Sequence, residues 1–166
     1  AMAIHMGEAD AMVTGATQNY GDCVRPIFEI IGTGKTKTAS GLNIVLWKDR
    51  MIFFADTTVN INPNAEQISN FAIHAATVAR YFGLEPKIAM LSFTNFSGKL
   101  ENPKKMQEAV RLVKARHPNL VVDGEMQADT AVNPEIVDRI FPFCEIKGGA
   151  NVLIFPNLDA SNVSYK

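Results

Sequence analysis

The run "NVLIFP", residues 151–156, is apolar without interruption from Val152 through Phe155. A strand with no polar alternation must be covered on both faces, which calls for a helical layer above and below its sheet and favours parallel neighbours. The rest of the chain supplies such layers. Short β-forming runs alternate with stretches whose apolar residues recur at three- and four-residue spacing, the rhythm of an α/β fold. The sequence therefore predicts a three-layer α/β/α sandwich with a mostly parallel sheet. Its 166 residues suffice for one well-cored domain, expected to span residues 1–166.

Segment by segment, "ADAMVTG" reads as a first strand ending at Gly15, and Asp22 as the cap of a helix through "CVRPIFEII", with Pro26 near its first turn. "LNIVLW" and "MIFFAD" flank the polar "KDR" and predict an antiparallel hairpin. The longest helix follows "NPNAEQ": Ile68, Phe71, Ala72, Ala75, Ala79 and Phe82 share one face, and Gly83 supplies the stop. "KIAMLSF" is the next strand. Asn102 and Pro103 read as the cap and first residue of a helix with an inner stripe of Met106, Ala109, Val110 and Val113. "LVVDG" is a strand, a shorter helix follows Asn133-Pro134, and "NVLIFP" closes the sheet after the turn at Gly148-Gly149.

Charge and cysteine usage narrow the function classes. Sixteen basic against seventeen acidic residues leave a net charge of -1, so neither nucleic acid nor an anionic membrane is an expected partner. "MIFFA" and "NVLIF" are strand-sized, and "AMAIHM" lacks the basic start and apolar core of a signal peptide, so the expected location is the cytoplasm. Cys23 and Cys144 lie far apart with no C-x-x-C, which favours two reduced thiols over a disulfide or a zinc site.

Ligands of open α/β sheets lie beyond the carboxyl ends of the strands. Those ends read Thr14-Gly15, Asp56-Thr57-Thr58, Ser92-Phe93-Thr94-Asn95, Asp123-Gly124 and Pro156-Asn157. Each alone is ordinary turn chemistry; together they describe a cleft whose amides and short hydroxyls can approach an anion. "IIGTGKTK" is not a phosphate loop, because a Walker loop needs glycine where Glu29 stands and should follow a strand. The acids of "VVDGEMQAD" invite a divalent metal, but a hard cation needs oxygens converging from elsewhere. The preferred reading has Asp123 accepting turn amides beside Gly124, while Glu125 and Asp129 cap or solvate the next segment. His5, His74 and His117 form no nucleophile arrangement, His74 reads as structural, and no catalytic residue is assigned. Arg25, one turn into its helix, carries the planar fork that suits phosphate.

At this point the residues match a known family. "GEADAMVTGATQNYGDCVRPIFEIIG", "FADTTVNINPNAEQISNFAIHAATVARYFGLEPKIAMLSF", "VVDGEMQADTAVNP" and "NVLIFPNLDASNVSYK" together resemble the phosphate acetyltransferase family in order and over nearly the whole chain. The resemblance is closest to the phosphotransacetylase-like C-terminal region of bacterial NADP-dependent malic enzymes. True transferases usually carry a Ser-Tyr-Ser-Thr-type loop where this chain has "SFTNFSG", and a "DGPLQYDAA"-like segment where it has "DGEMQADTA".

The resemblance implies a two-lobed protein with a fold similar to isocitrate and isopropylmalate dehydrogenases, of which this chain is the second lobe only. It implies that Arg25, in the D-x-x-R-P motif, serves a phosphate site; the strand-end residues Thr14, Gly15, Ser92, Thr94, Asn95 and Asp123 are the further phosphate or acetyl-coenzyme A contacts expected from their place in the cleft. The ligand expected is acetyl-coenzyme A or acetyl phosphate. In a malic-enzyme parent the region would serve oligomer assembly and response to acetyl-coenzyme A, with homodimers formed through this lobe. NADP and a divalent metal would belong to an N-terminal domain that oxidatively decarboxylates malate. The lobe alone is expected to be inactive; the alternative is a fragment of an active phosphate acetyltransferase.

Overall fold

The computed structural model describes residues 1–34 and 37–166; Lys35 and Thr36, inside the rejected phosphate-loop segment, lie outside the described residues. Contacts divide the chain into two compact units, Ala1–Ala39 and Ser40–Lys166.

The first unit holds two helices, α1 (Met2–His5) and α2 (Tyr20–Ile30). The strand expected at "ADAMVTG" is absent. A strand needs a ladder partner, the described residues of this unit contain no other strand, and Val13 is 101% exposed. The start of α2 also differs from expectation. Asn19 is the N-cap and Asp22 sits in the first turn, where a negative charge meets the unpaired amides of the helix start. Pro26 lies inside the helix, not at its entry, so the carbonyl four residues earlier has no N–H to receive from it.

The second unit is the α/β sandwich. Its five strands run in the order β1-β2-β5-β3-β4. The expected hairpin is present: β1 (Leu42–Trp47) pairs antiparallel with β2 (Arg50–Ala55), and Lys48 in the turn takes φ 53. All other pairings are parallel, among β2, β5 (Val152–Ile154), β3 (Lys87–Leu91) and β4 (Val121–Met126).

The uninterrupted apolar run at 152–155 supplies the middle strand, β5, between β2 and β3. Its side chains alternate between two cores. Val152 and Ile154 join Phe53, Ile88, Met90 and Val122 under α3 (Ala65–Tyr81) and α4 (Glu101–Arg116). Leu153 and Phe155 join Ala89, Leu91 and Met126 on the opposite face, with Ala131 of α5 (Ala128–Val132) and Val137 of α6 (Pro134–Ile140). Both faces are covered, as an unalternating strand demands.

Helix α3 begins with a full capping box, Asn64 accepting from the Gln67 amide and Gln67 accepting from the Asn64 amide. Its predicted stripe is buried except for Phe82, which falls one residue past the helix and is 47% exposed. Gly83 follows at φ 76, the left-handed stop the sequence indicates. Helix α4 starts earlier than expected, with Leu100 as N-cap and Asn102-Pro103 inside its first turn, while its predicted stripe is buried. Helix α6 starts at Pro134 with Asn133 accepting the Glu135 amide, as the sequence indicates. Neither α5 nor α7 (Leu158–Tyr165) was expected.

Strand β4 runs to Met126, beyond the predicted "LVVDG". Gly124 permits this: it holds φ 134, and a Cβ there would stand 2.6 Å from the Met90 carbonyl oxygen. Asp123 is therefore inside the strand, and Glu125 stands near its carboxyl end. Among the described residues, no helix is long and apolar enough to cross a membrane.

Candidate functional site

The carboxyl ends of β3 and β5 open into a cavity of about 320 Å³, lined by Leu91, Ser92, Asn102, Phe155, Asn157 and Ser164 among others. A larger cavity of about 420 Å³ lies against the hairpin, walled by Val45, Trp47, Ile52 and Phe54. That one is mostly apolar, and its Arg50 is engaged in donating to the Val132 and Ala150 carbonyls. The smaller cavity has the chemistry. It sits where open α/β sheets hold ligands and gathers two hydroxyls and two side-chain amides.

One wall is the loop at 92–98, fixed from beneath by β4. The Ser92 amide donates to the Met126 carbonyl at 2.8 Å, and the Phe96 amide to the Glu125 carbonyl at 2.8 Å. Asn95 and Gln127 exchange hydrogen bonds at 2.8 Å each, and Gln127 Nε2 donates to the Phe93 carbonyl at 3.0 Å. The Glu125 side chain completes the anchorage. Its Oε1 accepts the Thr94 hydroxyl at 2.9 Å and the Ser97 and Gly98 amides at 2.8 and 3.1 Å. Phe96, at φ 51, places its ring 5.2 Å from that of Phe141 and 4.9 Å from that of Phe143. The loop is thus held by polar contacts on one flank and aromatic contacts on the other.

Glu125 corrects the expectation that it caps or solvates the following segment. It is 0% exposed, and its Oε2 is buried with no hydrogen-bond partner among the described residues. Asp123 behaves as expected: its carboxylate accepts the Gly124 amide at 2.9 Å and the Glu145 amide at 2.8 Å. Beside it the buried Cys144 thiol is pushed up to about 11, chiefly by burial, with Asp123 adding to the effect. Asp129 accepts the Thr130 amide in the first turn of α5.

On the far side of the cavity, Asn157 caps α7 by accepting the Ala160 amide at 2.9 Å. Lys105 reaches from α4 to donate to the Pro156 carbonyl at 2.9 Å. Burial holds its ammonium below the usual lysine range, against an opposing pull from Glu101. Asp56, at the end of β2, is a closed turn. Its Oδ1 accepts the Gly41, Thr58 and Val59 amides, and its Oδ2 the Asn60 amide and side chain.

Of the residues singled out from sequence, Ser92, Thr94 and Asn95 share one loop, while Asp123 turns to the loop before Ile146. Thr14, Gly15 and Arg25 belong to the first unit. Thr14 is exposed, Gly15 takes φ 127, and Arg25 lies on the exposed face of α2 along a shallow groove with Tyr20, Val24 and Phe28. The sequence reading missed Lys105, the place of Asn102 at the cavity and the cap role of Asn157. Asn157 before "LDAS" is a start signal that, read strictly, locates α7 and with it the far wall.

All of residues 1–166 match the family described as phosphate acetyl/butaryl transferase. Over 99% of its length the chain is 40% identical to phosphate acetyltransferase of Bacillus subtilis, of which it spans 52%. Over 98% of its length it is 41% identical to NADP-dependent malic enzyme of Haemophilus influenzae, of which it spans 22%. Among solved structures, a phosphotransacetylase from Streptococcus pyogenes matches with a TM-score of 0.91 and 37% identity, over 99% of this chain and 51% of that one. The chain spans about half the length of these transferases.

Proposed function

The chain belongs to the phosphate acetyl/butaryl transferase family, and from that premise we propose that it forms one wall of a cleft for an acyl phosphate or acyl-coenzyme A ligand. We place it in a parent protein of the NADP-dependent malic enzyme type, where it serves assembly and response to acetyl-coenzyme A. The observation that supports the ligand class is the cavity at the ends of β3 and β5. Its rim carries the Ser92 hydroxyl on a pre-fixed loop, the Ser164 hydroxyl and the Asn102 and Asn157 side-chain amides, with the Lys105 cation reaching from α4 to the adjacent Pro156 carbonyl. Transfer between phosphate and a thiol needs positioning and charge stabilisation more than a protein nucleophile, and this wall offers those. Arg25, in the first unit, carries a planar fork suited to phosphate in its own right.

The malic-enzyme assignment draws on the loop "SFTNFSG" and the segment "DGEMQAD", the two places where the chain departs from the usual transferase pattern. In this chain those segments bind each other through Glu125 and Gln127. Self-association is supported by β1, the edge strand of the sheet among the described residues, where Leu46 and Trp47 are 72% and 63% exposed. A second reading, an active phosphate acetyltransferase, is favoured by an identity to the Bacillus subtilis transferase equal within one percentage point to that of the malic enzyme.

The full parent gene separates them. Purified parent protein is expected to reduce NADP in the presence of malate and to respond to acetyl-coenzyme A. Acetyl phosphate formation without malate oxidation would overturn the assignment in favour of the second reading.

A further inference from the structure

We infer that Thr94 is a positioning residue that makes Ser92 a hydrogen-bond acceptor toward the cavity, so that this end of the cleft selects a donor group, a thiol S–H, over a phosphate oxygen. The inference deepens the cleft reading above and rests on it. Its basis is the direction of a short hydrogen-bond chain. Glu125 Oε1 receives the Ser97 and Gly98 backbone amides, which can only donate, so Oε1 is an acceptor and carries no proton to give. The Thr94 hydroxyl, 2.9 Å from the same oxygen, must therefore spend its one proton there.

Thr94 Oγ1 then has only lone pairs to offer Ser92, whose Oγ lies 3.5 Å away. A hydroxyl has one proton and two acceptor sites. Across this contact only Ser92 can donate, and when it does so its lone pairs turn to the cavity it lines. Its backbone cannot swing away, because its amide is tied to the Met126 carbonyl. A phosphate oxygen brings acceptors to a place already offering acceptors, whereas a thiol or amide brings the missing proton. The 3.5 Å contact is long for O–H···O, so the bias it imposes is modest, about three- to tenfold in affinity.

The test compares coenzyme A with desulfo-coenzyme A, in which hydrogen replaces the thiol, by NMR-detected titration of the 166-residue chain at millimolar ligand. The wild type is expected to prefer coenzyme A by about three- to tenfold. Ser92→Ala and Thr94→Val should abolish that preference, and Thr94→Ser, which keeps the hydroxyl, should restore it. Protection of the Ser97 and Gly98 amides against hydrogen exchange reports whether Glu125 still holds the loop in Thr94→Val. If that protection is lost too, Ser92→Ala decides, and a thiol preference surviving there overturns the inference. Equal binding of the two compounds by the wild type overturns it while leaving the cleft reading intact. Binding of neither compound overturns both.

Discussion

Two buried carboxylates stand near the carboxyl ends of strands in the sandwich, and they are built differently. Asp56, 3% exposed, has donors on both oxygens, four of them backbone amides from its own turn and from Gly41. Glu125, 0% exposed, has three donors on Oε1 and none on Oε2 among the described residues. The first is a closed knot with nothing left to offer a ligand. In the second, one donor is a side-chain hydroxyl that leads through Ser92 to a cavity. Burial alone does not distinguish a structural acid from one that serves a site; where the donors come from does.

The largest expected effect breaks the closed knot. Asp56→Ala strands four backbone amides, at about 1 kcal/mol or more each, so a loss of about 4–5 kcal/mol is expected in urea unfolding followed by circular dichroism. A loss below about 1 kcal/mol would show that water replaces the carboxylate freely and that Asp56 is no knot. The next effect is at Glu125. Glu125→Ala removes the acceptor of two amides and a hydroxyl and leaves a cavity, so about 2–4 kcal/mol is expected. Glu125→Gln keeps an oxygen for the same three donors and should cost about 1 kcal/mol, with the Ser97 and Gly98 amides still protected in hydrogen exchange. Equal losses for the two variants would mean that the charge, not the acceptor geometry, holds the loop.

The same contrast explains how far the sequence could be read. The sandwich was legible because its signals are local and periodic: the unalternating "NVLIF" marks the central strand, and the stripe of α3 with its Asn64–Gln67 box marks the longest helix. Boundaries failed where one residue overrides the pattern. Gly124, with no room for a Cβ beside the Met90 carbonyl, lets β4 continue to Met126, and that continuation moves Asp123 inward and brings Glu125 under the loop at 92–98. A period count cannot see a close approach between strands. The strand expected at "ADAMVTG" failed for the opposite reason, since its pattern was adequate but the first unit offers no ladder partner among its described residues. Ser92, Thr94 and Asn95 were found from their place after β3, but the directionality of their hydrogen bonds depends on Glu125, thirty-odd residues away in sequence.

The smallest effect sharpens the comparison by removing one side-chain donor from each carboxylate. Asn60 Nδ2 donates to Asp56 Oδ2, as the Thr94 hydroxyl does to Glu125 Oε1. Asn60→Ala leaves Asp56 with its four backbone amides, and Thr94→Val leaves Glu125 with two. Since neither change strands a backbone group, each should cost about 1 kcal/mol, the ordinary worth of one hydrogen bond in partial burial. Stability therefore cannot tell the two apart, but ligand binding can. Coenzyme A affinity should be unchanged in Asn60→Ala, because nothing about Asp56 faces the cavity, and should fall in Thr94→Val, because Ser92 loses the acceptor that orients it. If Asn60→Ala weakened binding as much as Thr94→Val at equal stability, the turn around Asp56 would have to communicate with the cleft, and the division between closed knot and open clamp would fail.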